Sequence, residues 1–536
     1  MASIVWFRDD LRVADNPALL AAWHDGDAVA LFVLDEQSDG IRPLGAAAKW
    51  WLHHGLESLR ADLGALGIPL LLRRGPAGAA VAEAVEATGA ASVYWNRRYG
   101  GPERAVDASV KEWASSADVH AESFQASLLH EPWTVKTGQG NPYQVFTPFW
   151  RTVSAQDFRA PLDAPAPDAA RTKGGGSRGS DSGGSGSGGS GSGDSGPRGG
   201  GNQDAGRRAT PEPGDLDDLD LLPTRPDWSA GLADAWTPGE TAAHEALADF
   251  LEGPVRDYAD GRDRPDRDGT SRLSPYLRWG HLSPFQVWAG LASRRREAGD
   301  GGSVFAAELG WREFCWHQLF HHPDLATANL RPGFDAFPWE WPREPGSATP
   351  ALLRAHAPCR DASSGAGTAD GQDAADGQDA AGGGDSAPRP APRDDDTDPV
   401  DAWKAGLTGI PLVDAGQRQL WHTGWMHNRV RMVSASFLVK NLGVHWRVGE
   451  EWFWETLVDA DAASNPASWQ WVAGSGADAA PFFRIFNPQT QAKKFDPDGL
   501  YVARWAPDAL TPSYPEPLVD LKESRQRALD AYATIR

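Results

Sequence analysis

Residues 413–432 read VDAGQRQLWHTGWMHNRVRM, and the way this stretch is read decides how the second half of the chain folds. Its apolar residues fall at helical spacing. Continued without a break, the helix would place Trp421, Trp425, Asn428 and Met432 at offsets 0, 4, 7 and 11, which is one face. A core face does not need an asparagine, because a buried amide costs stability unless all its bonds are satisfied. A solvent face does not need two tryptophans and a methionine. The stripe therefore reads as a surface for something flat and partly polar. The plain alternative is a core helix carrying one satisfied amide.

The residues around this stretch, 228–362 and 399–536, show helical periodicity, many tryptophans and scarcely any alternating pattern. They predict one mostly α-helical domain, split in sequence but folded as a unit. The interruption at 363–398 contains the tandem ADGQDA-ADGQDA and then APRPAPRDDD, a low-complexity insertion expected to loop out as disorder. A second such stretch, the Gly/Ser linker at 173–208, has too little apolar surface to fold.

Residues 1–160 have a different pattern. Short apolar runs at 3–7, 29–34, 69–73 and 91–95 are separated by helix-like stretches, notably 45–65 and 76–88. This alternation predicts an α/β domain with a doubly wound parallel sheet covered on both faces. The first helix should start at Asp15 or Asn16 as cap, with Pro17 in its first turn. FRDDLRVADN stands at the first strand–helix turn in place of GxGxxG, which argues against a standard dinucleotide site in this domain.

With 536 residues the chain is long enough for two or three domains, and 25 tryptophans against 8 tyrosines invite a search for stacking surfaces beside ordinary core packing. Cys315 and Cys359 are the only cysteines, which excludes a disulfide framework or a CxxC knot, and there is no HExxH, so no metal is expected. No apolar run reaches membrane-spanning length and the N-terminus has no basic leader, so a cytoplasmic protein without a membrane is expected. The net charge of −22 argues against a nucleic-acid partner. Its distribution softens this, since 251–320 and 401–506 each balance ten basic residues against ten acidic ones.

Three further stretches carry candidate chemistry. GTSRLSPYL (269–277) offers hydroxyls, backbone N–H groups and a Ser-Pro helix start, able to hold phosphate or to be an ordinary cap and turn. In ELGWREFCW (308–316), Glu308, Trp311, Arg312 and Cys315 share a helical face. Glu308 there is either a carboxyl kept protonated by an apolar site or half of a surface pair with Arg312. In 458–488, Asp459, Asp461 and Asn465 precede Trp469-Gln-Trp471 and a Gly/Ala-rich turn. That stretch is either an edge strand or a backbone pressed against a ligand.

GTSRLSPYL and the 458–488 stretch, with WKAGLTGIPLVDAGQRQLWHTGWMHNRVRMVSASFLVKNLG (403–443), VWFRDDLR (5–12) and NPQTQAKKFD (487–496), resemble the photolyase/cryptochrome family, closest to its class I cyclobutane pyrimidine dimer photolyases. The resemblance implies an antenna domain, a helical FAD domain and light-driven repair of UV-damaged DNA containing pyrimidine dimers, by a monomer. By position, Tyr258, Thr270, Ser271, Arg272, Leu273 and Ser274 would hold the FAD diphosphate and ribityl region. Arg312, Arg431, Asp459 and Asp461 would surround its rings, and Asn465 would face flavin N5. Glu308 would hydrogen-bond the flipped-out dimer, Trp311 and Trp471 would wall it, and Asn428 and Met432 would line its floor. These five are the implied catalytic and DNA-contacting residues, and Trp339, Trp446 and Trp469 match the family's electron relay. NRRYGGPERAVD (96–107) resembles antenna-pocket sequence, implying a second chromophore, folate or deazaflavin. Asn428 and Met432 stand where six-four photolyases usually carry histidines, which favours cyclobutane dimers. A cryptochrome-like light sensor without repair is the rival reading.

Overall fold

The computed structural model describes residues 2–166, 212–224, 227–341, 397–479 and 483–536. The segment 173–208, nearly all of 363–398, and Cys359 lie outside these residues. Five strands form the sheet: β1 (Ala2–Phe7), β2 (Asp27–Leu34), β3 (Leu70–Arg74), β4 (Ser92–Asn96) and β5 (His120–Phe124). Their order is β3-β2-β1-β4-β5 with every neighbouring pair parallel, a doubly wound sheet. The first four strands coincide with the apolar runs, because strands covered on both faces must be apolar throughout. The fifth, HAESF, carries no such run because Ser123 alone is buried in it.

Crossover helices α1 (Pro17–Asp25), α2 (Ala46–Ala65), α3 (Ala77–Thr88) and α4 (Gly101–Ser116) connect the strands. Asn16 is the cap of α1, its side chain accepting from the Leu19 N–H with Pro17 in the first turn. One hydrophobic cluster runs from the sheet through α2 into the helical part, joining Trp50, Trp51 and Leu59 to Trp236, Tyr276 and Phe285. Polar contacts line the same boundary: Arg12 donates to the Gly280 carbonyl (2.9 Å) and Arg278 to Asp9 (2.9 Å).

Beyond β5, the described residues contain no further strand, only an isolated bridge between Glu340 and Val444. None of their helices is long and apolar enough to cross a membrane. Six helices position the site: α5 (Ser274–Arg278), α6 (Arg295–His321), α7 (Pro411–Thr423), α8 (Asn428–Ser436), α9 (Trp446–Thr456) and α10 (Ser464–Ala473).

One expectation is corrected here, and one of two alternatives is excluded. The stretch 413–432 is not one helix. Gly424 ends α7 in the left-handed region at φ 64°, and a Cβ there would come within 2.5 and 2.7 Å of Leu232 and Val458. A new helix then starts at Asn428, capped by His427, whose Nδ1 accepts from the Arg429 N–H at 3.2 Å. Trp421, Trp425, Asn428 and Met432 therefore come from two helices and their link, and Asn428 is exposed, not buried. The pair Trp469 and Trp471 lies on α10, not on an edge strand. Two residues along a helix are about 200° apart, so Trp469 is buried while Trp471 is half-exposed.

Four buried histidines use a ring nitrogen as an acceptor. His281 accepts from Trp51 Nε1 (3.1 Å), His317 from the Tyr143 N–H (3.1 Å), and His427 and His445 from the N–H groups they cap. Burial is the largest cause holding their pKa values down, to about 4 for His281, His427 and His445 and about 3 for His317. The folded state refuses protons that the unfolded chain takes up below about pH 6.5. Stability should therefore be fully present above that pH and decline as pH falls toward 4. A melting temperature unchanged between neutral pH and pH 5 would contradict this.

Candidate functional site

The turn 269–274 forms one wall of the site. Gly269 is needed because a Cβ would lie 2.7–2.9 Å from the backbone of Gly261. Arg272 holds a left-handed backbone at φ 50°, which costs a non-glycine residue on the order of 1 kcal/mol. Its guanidinium lies 4.4 Å over the Trp236 ring and 5.4 Å over Trp425, and its buried Nε has no hydrogen-bond partner among the described residues. Thr270 and Ser271 are half-buried beside it, and Leu273 is buried beneath.

Ser274 connects this wall to the next one. Its hydroxyl donates to Asp459 at 2.6 Å, and Asp459 also accepts two bonds from Arg431, at 3.1 and 2.8 Å. Arg431 Nε reaches back to the Met426 carbonyl at 2.7 Å. Asp461 accepts from the N–H groups of Ala463 and Ser464, shaping the entry to α10. Asn465 follows on that helix and donates to both the backbone carbonyl (3.0 Å) and Oε1 (2.9 Å) of Glu450.

Glu308 does not pair with Arg312. Arg312 donates to the Ser127 carbonyl at 2.8 Å, while Glu308 pairs with Arg262. The adjacent Asp263 pairs with Arg429 at 2.6 Å, which brings the Glu308 neighbourhood to the foot of α8 beside Asn428. Burial pushes the Glu308 carboxyl up in pKa against the pull of Arg262, and it likewise raises the Tyr258 phenol next to them. Trp311 stacks flat on Phe146, ring centroids 3.8 Å apart at 8°. Cys315, on the same helical face, is pushed by burial to about 12 and so stays a thiol. Helix α10 packs against both α6 and α8.

The tryptophans expected to act as a relay are placed as follows. Trp469 lies edge-on to Phe453 (4.9 Å) and over Gly449 of α9, where a Cβ would come within 2.1 Å of the indole. Trp446 starts α9, with its Nε1 donating to Asn329 at 2.9 Å. Trp339 and Trp446 both contact His445, at 5.1 and 5.5 Å.

The sequence reading missed Arg262, Asp263, Arg429, Glu450 and Arg42. DYADGRDRPDRD (257–268) alternates charges so densely that no pair stands out. Glu450 and Glu451 are adjacent, and the helix phase alone reveals that the first is buried and the second exposed.

A deoxyribodipyrimidine photo-lyase of Agrobacterium fabrum is 39% identical over 99% of this chain and 98% of its own length. This chain belongs to the photolyase/cryptochrome family. The family model described as DNA photolyase matches residues 3–168, and the one described as FAD binding domain of DNA photolyase matches 384–534. Cryptochrome-1 of Arabidopsis thaliana is 31% identical over 99% of this chain and 70% of its own. A crystal structure of a bacterial class III photolyase from Agrobacterium tumefaciens superposes with a TM-score of 0.79 at 38% identity, covering 99% of this chain and 97% of the other. The sequence resemblance pointed to class I, whereas that structure is named class III. The chemistry proposed below does not depend on the division.

As a photolyase/cryptochrome-family chain, it carries the family's FAD-binding domain, and its residues suit that cofactor. The unpartnered Arg272 Nε and the hydroxyls of Thr270 and Ser271 are donors suited to an anionic diphosphate.

Proposed function

We propose that this chain is a light-dependent carbon–carbon lyase that splits cyclobutane pyrimidine dimers in UV-damaged DNA. The observation that carries the reading is the half-buried face of Glu308 and Trp311, linked to the start of α8 at Asn428 through the ion pairs Arg262–Glu308 and Asp263–Arg429. An aromatic wall with a carboxyl and an amide at its edge suits a planar, carbonyl-rich base pair lifted out of the duplex. When bound, FAD supplies the light-excited electron donor for the splitting.

The roles of the chain's own residues follow from this. Thr270, Ser271, Arg272 and Ser274, with Tyr258 and Leu273 behind them, hold the diphosphate and ribityl end. Arg312, Arg431, Asp459 and Asp461 orient the rings. Trp311 and Trp471 exclude water from the dimer, Asn428 and Met432 support it, and Glu308 donates a hydrogen bond to a pyrimidine carbonyl once protonated. Trp469, Trp446 and Trp339 carry electrons inward from the surface. The folate or deazaflavin expected as antenna has a candidate place in a cavity of about 100 Å³ at the carboxyl ends of β1 and β2, lined by Arg8, Asp9, Arg98 and Glu103.

A light sensor without repair is the second reading, favoured by the likeness to Cryptochrome-1. Binding in the dark separates the two. A dimer-containing duplex should be held at least about tenfold more tightly than the same undamaged duplex, since extruding an already unpaired base costs less. The advantage should persist at raised salt, because a chain of net charge −22 gains little from phosphate contacts alone. Equal affinity for the two duplexes would favour the sensor.

A further inference from the structure

We propose that Arg42, on the loop between β2 and α2, is a positioning residue that sets the hydrogen-bonding character of the site at flavin N5, acting through Glu450 and Asn465. The proposal rests on the reading above that FAD lies with N5 beside Asn465.

The contacts form a continuous chain across the boundary between the sheet and the helical part. Arg42 donates two parallel bonds to Glu450, Nη1 to Oε1 at 2.8 Å and Nη2 to Oε2 at 3.0 Å, with its guanidinium 4.1 Å over the Trp454 ring. Glu450 is 1% exposed, a depth at which a lone carboxylate would take up a proton. Burial raises its pKa on balance, and the paired, planar guanidinium is the chief influence drawing it back toward the ionised form. An ionised carboxylate can only accept, and so can a backbone carbonyl. The group of Asn465 that faces both Glu450 Oε1 and the Glu450 carbonyl must therefore be its NH2, which decides the orientation of an amide that shape alone leaves ambiguous.

Both amide hydrogens are committed, and Asn465 Oδ1 accepts no hydrogen bond among the described residues. The amide is thus held as an acceptor toward the flavin. An acceptor favours an N5 that carries hydrogen, as in the reduced cofactor, over a bare N5 whose lone pair would face the oxygen. Without the Arg42 charge, Glu450 would protonate and become a donor. With Oε1 turned from acceptor to donor, Asn465 would keep only its bond to the Glu450 carbonyl, and its oxygen would be held less firmly toward the flavin. The cation responsible comes from the sheet side of the molecule, where Arg42 also lines the cavity below β1 and β2.

The test is a dark redox titration of the FAD-loaded protein, which needs no DNA and no repair. Arg42→Met keeps the aliphatic stem over Trp454 but removes the charge. It should shift the oxidised-to-reduced ratio at a fixed potential roughly tenfold toward oxidised, in line with the loss of one charge-assisted hydrogen bond. Arg42→Lys should restore most of the shift. Asn465→Ala is the control. If it moves the ratio and Arg42→Met does not, the proposal is overturned while the placement of Asn465 stands. Equal shifts in Arg42→Met and Arg42→Lys would trace the effect to packing rather than charge, which also overturns it. If Asn465→Ala leaves the ratio unchanged, the placement of N5 is wrong and the proposal falls with it.

Discussion

Replacing Asp459 by alanine is expected to yield a chain that folds less stably and does not retain FAD. Asp459 accepts both Arg431 bonds and the Ser274 hydroxyl, which joins the 269–274 turn, α8 and the entry to α10 through one carboxylate. The Asp459 side chain is 3% exposed and that of Arg431 is 23% exposed. Breaking such a pair from one side leaves a guanidinium without its counter-charge, at about 3 kcal/mol, several times the value of a surface ion pair. Asp459→Asn keeps an acceptor for Ser274 and should fall between. Chemical unfolding and the flavin content of purified protein check both points. Wild-type flavin content with a loss under about 0.5 kcal/mol would show that the carboxylate holds nothing together.

Glu308→Ala should have a different effect. Glu308 sits at the rim of the site and is held by Arg262, which remains beside Tyr258 and near Asp263 without it. Little stability and no FAD should be lost. Repair should fall by about tenfold to a hundredfold, the range for removing one donor aimed at developing negative charge. The pairing with Arg262 has a further implication. The carboxyl must leave that guanidinium and take a proton before it can donate to a pyrimidine carbonyl, and its raised pKa, caused first by burial, lowers the cost of that protonation. Glu308→Gln has a permanent N–H donor and should keep more activity than Glu308→Ala. Equal repair per absorbed photon in wild type and Glu308→Ala would remove this residue from the mechanism.

The parallel sheet was legible because strands buried on both faces leave continuous apolar runs, and β5 escaped because it is barely covered, with Ser123 alone buried. The helical half was legible in class but not in its break. The apolar spacing across Trp421 and Met432 suggested an unbroken helix, while the stop lay in a single glycine whose left-handed backbone a period count ignores. The site residues came from the resemblance, position by position, and their pairings could not. Glu308 meets Arg262 from 46 residues away and Glu450 meets Arg42 from 408, distances over which no local spacing rule operates. The sequence offered Arg312 to Glu308 by helical proximity. The fold instead turns Arg312 to the Ser127 carbonyl, so the carboxyl finds its partner on another segment.

The most direct measurement is repair itself. Reduced, FAD-loaded protein is given a short oligonucleotide with one cyclobutane thymine dimer, under blue light and in the dark, and recovery of thymine absorbance is followed. Recovery in the light alone, lost largely in Glu308→Ala and retained in part in Glu308→Gln, is the predicted result. No recovery from a protein whose FAD is bound and reduced would contradict the account and make the site built around Glu308 and Trp311 that of a light sensor.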